Sequence, residues 1–426
     1  MNDANIQKYQ QDLVDYLKQA NQLTTPLVEE AFIKVPRHLF LPGEPLDKVY
    51  SDIAIVKKRG EQGQWTSSSS MPAIMAIMLE QLDLKPGQRV LEIGTGTGFN
   101  AALIASIVGP NGKVVTVDIQ PDLMEDARKC LDVAGYDWVQ TVVGDGGYGC
   151  PDGAPYDRII LTVASDVITT AWREQLAPGG ILVLPFAIAG AQLSVAFEKR
   201  GEELVSVSIT GCGFMPLQGA FAPAQPVQTQ LGSDPRLYMF SEKGKELPVG
   251  ADTIFTWLSQ DGTDQATEVN VTRYELEWGL LSWAGIQKPP TTGLAVTLCA
   301  MGDLADQNLI PSLVGNGGEW KAMYSVGLIE QDGMAALMRS PGQIAPLADM
   351  FHSEDNAQFE LYVRNFGLGT NAGQCLLEYI QNWDQASRLT SLSWKIRAIP
   401  AETEYNSTDG EFLVNKPWTK LVISYQ

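Results

Sequence analysis

The run VLEIGTGTGFN at Val90–Asn100 constrains this chain most: an apolar stretch ending in an acid, then Gly94, Gly96 and Gly98 at alternate positions, then an apolar helical segment. A strand feeding a glycine turn that opens a helix is a nucleotide cradle. The glycines allow positive φ and close backbone approach, and free N–H groups at the helix start can meet polar ligand atoms. From Gln88 onward strands and helices alternate. Strands are predicted at 88–93, 113–118, 138–143, 157–162 and 180–185, and helices at 98–108, 122–134 and 167–175. This order predicts an open α/β sheet with helices on both faces.

Upstream, residues 4–20 carry helical periodicity, TTPLVEEAF at 24–32 reads as a capped helix, and VPRHLFLP at 35–42 as a Pro-bracketed turn. A further helix begins in SSSSMPAIMAIMLEQL, with Ser70 as its N-cap or the neighbour of the N-cap and Pro72 in the first turn. Downstream, LSVAFEKRG and EELVSVSITG form a hairpin that closes a first domain at 1–218. Residues 219–236, rich in Pro, Gly and Gln, read as a linker. Residues 237–426 then form a C-terminal α+β domain. Helices are expected near 248–260, 303–310 and 371–388, and strands near 295–300, 323–329, 392–398 and 419–425. Trp257, Trp278, Trp283, Trp383 and Trp394 are its core candidates.

The charge of -20 over 426 residues argues against nucleic acid as a partner, because phosphate binding needs clustered Lys and Arg. The cysteines, Cys130, Cys150, Cys212, Cys299 and Cys375, are odd in number and never form a CxxC pair. With no signal-peptide pattern and no apolar run long enough to span a bilayer, this predicts a cytoplasmic protein without a membrane partner. His38 and His352 are the only histidines, so no metal site is expected, and His38 reads as structural. Cys150 reads as an ordinary loop cysteine that could be exposed, and Trp418 as core. The oligomeric state is not encoded in any of these features.

The second strand, KVVTVDI, ends in Asp118, placed to accept both ribose hydroxyls of a nucleoside. The third, WVQTVVGDG, ends in Asp145 and Gly146, an acid for the exocyclic adenine amino group beside a glycine that lets the base pass. With Phe99 where GxGxxG requires its last glycine, the pyrophosphate fingerprint is incomplete. An acidic cleft of Glu92, Asp118 and Asp145 suits the sulfonium of S-adenosylmethionine and would repel a pyrophosphate.

Together VLEIGTGTGFNAALIA, VVTVDI, GDGGYGCPDGAPYDRIILTVA and QLAPGGILVLPF resemble the protein-L-isoaspartate O-methyltransferases, with VPRHLFLP and FMPLQG as flanking signatures. The resemblance implies a Rossmann-like class I methyltransferase sheet and S-adenosylmethionine as cofactor. It implies cofactor contacts at Glu92, Gly94, Thr95, Gly96, Gly98, Asn100, Asp118, Ile119, Asp145 and Gly146. The family's T-I-S-Q-P segment, matched through Pro72, falls on Ser68, Ser69, Ser70 and Met71, so Ser70 is the residue implied to contact the acceptor and orient it. An acceptor carboxylate is already ionised at neutral pH, so alignment can replace a general base.

Two acceptors remain open. C-terminally extended relatives resemble enzymes that esterify one aspartate of a ribosomal precursor peptide, after which the neighbouring backbone nitrogen expels methanol and leaves a succinimide. The alternative is repair of isoaspartyl proteins. A third reading, a non-catalytic adaptor that binds S-adenosylmethionine, would be favoured by a degraded glycine loop, and this loop is intact.

Overall fold

The computed structural model describes residues 3–59, 65–287, 293–317, 321–348 and 357–425, so His352 lies outside the described residues. It divides into two compact units. The first comprises Met1–Ile188, Gln192–Pro223 and Leu392–Gln426, and the second Ala189–Ala191 and Ala224–Ser391.

The first unit opens with α1 (Asp3–Gln19), α2 (Pro26–Lys34) and α3 (Leu46–Val49). A two-stranded hairpin follows, β1 (Ile55–Arg59) and β2 (Trp65–Ser69), then α4 (Pro72–Leu82). The main sheet is built from β3 (Arg89–Ile93), β4 (Lys113–Asp118), β5 (Gln140–Val143), β6 (Tyr156–Leu161), β7 (Leu176–Ile188), β8 (Ala191–Arg200) and β9 (Glu203–Gly211). Its order is β5–β4–β3–β6–β7–β8–β9, continued by three C-terminal strands to make ten. The pairs from β5 through β7 are parallel. Strands covered on both faces read as unbroken apolar runs, which is the pattern of VLEI and of VVTV. The crossovers are α5 (Phe99–Val108), α6 (Pro121–Val133) and, before β7, α7 (Thr170–Gln175). All but one residue of α5 is buried, so this helix belongs to the core on every side.

The last segment departs from the expected boundaries. Trp394–Pro400 pairs with β9, and Thr419–Tyr425 and Phe412–Lys416 extend the same sheet outward. Residues 392–425 and Trp394 therefore belong to the first unit, not to the extension. The pairing is non-local, Arg397 and Ala398 opposite Val205 and Leu204, and local periodicity carries no information about partners so far away in sequence.

Among the described residues the second unit is built on a nine-stranded sheet. Its main path runs Val227–Gln230, Leu237–Ser241, Leu294–Met301, Ala322–Ile329, Gly333–Arg339, Phe359–Gly367, Thr263–Val271. The helix Thr370–Gln385 buries Trp383, and the mixed α+β character matches expectation. Part of the expected linker is instead ordered as the edge strand Val227–Gln230. The helix expected at 303–310 is only a short 3-10 turn, Gly302–Asp306. Among the described residues no helix is long and apolar enough to cross a membrane.

Candidate active site

Gly94–Gly98 bridge the end of β3 and the start of α5. Gly94 has φ +97°, and a Cβ there would fall 2.5 Å from Thr162 Oγ1 and 3.1 Å from Val163 Cγ1, so glycine is what lets the loop close on the end of β6. Gly98 is the N-cap of α5 and supplies no capping side chain, which leaves the first N–H groups of that helix for a ligand.

Behind this loop Glu92 is 0% exposed. Its carboxylate accepts from Asn100 Nδ2 at 2.8 Å and from Thr116 Oγ1 at 2.6 Å. The Thr116 hydroxyl also pairs with that of Thr95 at 2.6 Å. Burial pushes the Glu92 carboxyl up to about 7; the bonds from Thr116 and Asn100 oppose the rise and the charge of Asp118 adds to it. Glu92, Thr95 and Asn100 thus form one buried network that braces the loop from within.

Asp118 closes β4 beneath the loop, accepting from Gly96 N at 3.1 Å and Gln120 N at 3.0 Å. Burial raises its pKa, and these backbone donors hold it back. Ile119 follows on the exposed rim. Beyond β5, Asp145 caps a short turn, with Oδ1 accepting from Gly147 N at 2.9 Å and Oδ2 from Ala220 N at 2.7 Å. Gly146 leaves no room for a side chain, since a Cβ would meet Ile93 Cγ2 at 2.3 Å, and its carbonyl accepts from Trp172 Nε1 at 2.9 Å. Asp118 ends β4 and Asp145 follows the end of the neighbouring β5, where open α/β sheets bind ligands, while Glu92, one residue before the end of β3, is buried behind the loop.

The serine run lies on the hairpin and does not cap α4. Ser68 and Ser69 are strand residues opposite Val56 and Ile55, and the N-cap is Met71, without a side-chain bond. Asp52 takes the capping role instead: its Oδ1 accepts from Ala73 N at 2.8 Å. Carried by this hairpin, the Ser68 carbonyl lies 3.4 Å from where a Cβ on Gly96 would be, so the serines adjoin the glycine loop. Ser70 is held through its carbonyl, which accepts from Arg37 Nη2 at 3.0 Å. Arg37, not foreseen as functional, is 1% exposed, lies 5.4 Å from the Phe99 ring centroid, and is lowered to about 10 by burial. Its signal in the sequence was a lone cation inside the apolar VPRHLFLP turn. Ala220 was missed as well, because nothing local announces that its N–H meets Asp145.

Other candidates resolve as structural. His38 Nδ1 lies 2.8 Å from the Tyr50 hydroxyl. Cys150, read as an ordinary loop cysteine that could be exposed, is buried, whereas Trp418, expected in the core, is 38% exposed. Among the described residues no group of three or more His, Cys, Asp or Glu could hold a metal ion.

This donor set fits a cationic nucleoside: acids at the strand ends, unfilled helix N–H groups, and glycines whose Cβ would obstruct the cradle. Comparison with known proteins gives the same answer. The family model of protein-L-isoaspartate(D-aspartate) O-methyltransferase (PCMT) matches residues 7–221. Over 219 residues the chain is 39% identical to the protein-L-isoaspartate O-methyltransferase of Methanopyrus kandleri, covering 51% of this chain and 94% of that relative. It is 38% identical over 218 residues to the protein of the same name from Hyperthermus butylicus, covering 49% and 88%. A solved protein-L-isoaspartate O-methyltransferase shares the fold over 98% of this chain and 99% of its own, with TM-score 0.50 and 21% identity. The chain belongs to the protein-L-isoaspartate(D-aspartate) O-methyltransferase family and is an S-adenosylmethionine-dependent carboxyl O-methyltransferase.

Proposed function

We propose that this enzyme esterifies an aspartate side chain of a ribosomally made precursor peptide, and that the ester then closes to a succinimide. The observation that carries the reading is the serine strand against the glycine loop, with Ser68 beside Gly96. An acceptor hydrogen-bonded to Ser68 or Ser70 is thereby next to the cofactor, whereas Ser69, expected to contact it too, is buried with its hydroxyl accepting from Arg37 Nη2 at 3.4 Å. When bound, S-adenosylmethionine supplies an electrophilic methyl group on a sulfonium. Asp118 would hold the ribose hydroxyls, Asp145 with Gly146 the adenine, and the Gly94–Gly98 loop the remainder, against the Glu92 network.

Ser70, fixed by Arg37, would donate a hydrogen bond to one carboxylate oxygen and leave the other aligned with the methyl carbon. A carboxylate needs no proton removed, and the nearest histidine in sequence is engaged with Tyr50. In the ester the departing group is methanol, a far better leaving group than an oxide, so the next backbone nitrogen can close the ring. The second unit enters the chain between two strands paired in the catalytic sheet, β9 and Trp394–Pro400, and would supply selectivity for a leader or ring.

Repair of isoaspartyl proteins is the second reading, favoured by the names of the relatives. Mass spectrometry after incubation with labelled S-adenosylmethionine separates the two. A peptide encoded beside this gene should gain a methyl group at one aspartate and then lose methanol. Rapid turnover of a plain isoaspartyl peptide, with every ordinary aspartyl peptide ignored, would leave only the repair reading standing.

A further inference from the structure

Trp418 stands in the turn between Phe412–Lys416 and Thr419–Tyr425, at the tip of the final hairpin. The base of that tip is anchored, since buried Thr419 donates from Oγ1 to the Ile168 carbonyl at 2.9 Å. The Trp418 ring centroid lies 5.0 Å from that of Phe221, tilted by 56°. Phe221 also meets Tyr148 at 5.0 Å, nearly edge-on at 81°. Beneath Phe221 is Gly147, where a Cβ would fall 2.0 Å from Phe221 Cδ2. One residue before Phe221, the Ala220 N–H donates to Asp145 Oδ2 at 2.7 Å. Before that, Gly219 passes so close that its Cβ would lie 2.3 Å from the same oxygen, at φ +95°. Direct contacts therefore connect the hairpin tip to the acid at the end of β5. The family match stops at residue 221, so Trp418 comes from a part of the chain outside it.

We propose that Trp418 is a positioning residue for the cofactor: it clamps Phe221 onto Gly147 and so keeps the Ala220 N–H on Asp145. Affinity for S-adenosylmethionine then depends on the C-terminal hairpin. The proposal rests on the reading of Asp145 as a cofactor contact. Asp145 has one oxygen fixed by Gly147, on its own turn, and the other by Ala220, three residues beyond the backbone tie of Leu217 N–H to the Ala164 carbonyl at 2.7 Å, where the Phe221 ring packs on Gly147. Aromatic pairs at this separation contribute beyond the area they bury, and Trp418 supplies one of the two that hold Phe221. Releasing it should free Ala220, leave Asp145 with more than one orientation and charge the lost pre-organisation to binding.

Calorimetry on the full chain tests this with Trp418→Ala, the ring-keeping Trp418→Phe, and Asn415→Ala as a control on the same hairpin. Trp418→Ala should raise the Kd for S-adenosylmethionine about five- to tenfold, the scale of one lost hydrogen bond, with the KM for acceptor peptide unchanged. Trp418→Phe should restore most of the affinity, and Asn415→Ala should match the parent. Amide hydrogen exchange adds a readout specific to the route: the Ala220 N–H should exchange faster in Trp418→Ala. A Kd within twofold of the parent, or a raised Kd with Ala220 exchange unaltered, overturns the proposal. Should Trp418→Ala not fold, Trp418→Leu carries the same two measurements. Asp145→Ala is run beside them. If it leaves the Kd unchanged, the reading of Asp145 fails; if it weakens binding while the Trp418 variants do not, only the clamp fails.

Discussion

Glu92 sits where two demands oppose one another: a buried carboxyl resists ionisation, while two donors, Asn100 and Thr116, stabilise its charge. Burial wins, raising its pKa from 4.5 to about 7. Between those values the folded chain keeps a proton that the unfolded chain has released, so stability falls as pH rises. The contribution is whole below the unfolded value and is lost as pH climbs through the folded one, at most about 3 kcal/mol. Glu92→Gln removes the titration while keeping a side chain that can hydrogen-bond with Asn100 and Thr116. From pH ~5 to ~8 the parent should lose stability relative to Glu92→Gln in urea unfolding, and a pH-independent difference would contradict the raised pKa. Asp118 is a different case, because its carboxylate is pinned by Gly96 and Gln120 rather than sealed away. Asp118→Ala should weaken S-adenosylmethionine by about 1.5–3 kcal/mol, as loss of charge-assisted ribose bonds would, and an unchanged calorimetric affinity would reject that role.

Among the elements, the β1–β2 hairpin and the start of α4 set where the acceptor can lie. The start of α4 is fixed by Asp52 on the Ala73 N–H, three residues from Ser70. Asp52→Ala should therefore cost about 1 kcal/mol, seen as a thermal midpoint a few degrees lower, and Asp52→Asn should recover much of it. Ser70→Ala should leave the fold and cofactor affinity intact and lower turnover; an unaltered rate on the true substrate would remove Ser70 from the reaction. The same elements show what the sequence makes legible. VLEI, GTGTG and FNAALIASIV announce strand, turn and helix within a few residues, so β3, the loop and α5 were readable to within one residue at most boundaries. SSSSMP was not: a strand of serines has neither apolar alternation nor bulk, and its position follows from Ile55 and Val56 across the ladder. GMAALMR at Gly333–Arg339 is buried at every position, so it lacks the period that would separate a strand from a helix. Asp145 could be picked out from its strand end, whereas Ala220 and Arg37 reach the site only through the folded path of the chain.

For the whole molecule, the path of the chain makes the catalytic unit discontinuous: it leaves after β9, forms the second unit, and returns to cover the β9 edge. The return is specific. Arg397 pairs with Glu203 through two bonds, of 2.8 and 3.1 Å. Arg173, buried and with its pKa lowered by that burial, donates to the Ala398 carbonyl at 3.0 Å and to Thr419 Oγ1 at 3.3 Å. Removing those acceptors would leave a buried cation short of partners, a cost of about 3 kcal/mol or more, and would bare an edge strand to other chains. The compact length of the relatives is thus misleading as a guide to where this chain can be cut. Residues 1–223 alone should aggregate or melt well below the parent. Residues 1–223 joined to 392–426 through a flexible linker should stay soluble and bind S-adenosylmethionine, while losing selectivity among acceptor peptides if the second unit supplies it. Light scattering, thermal melts and calorimetry on the two chains decide the matter. A stable, cofactor-binding 1–223 fragment would mean that the returning strands are dispensable for the sheet they complete.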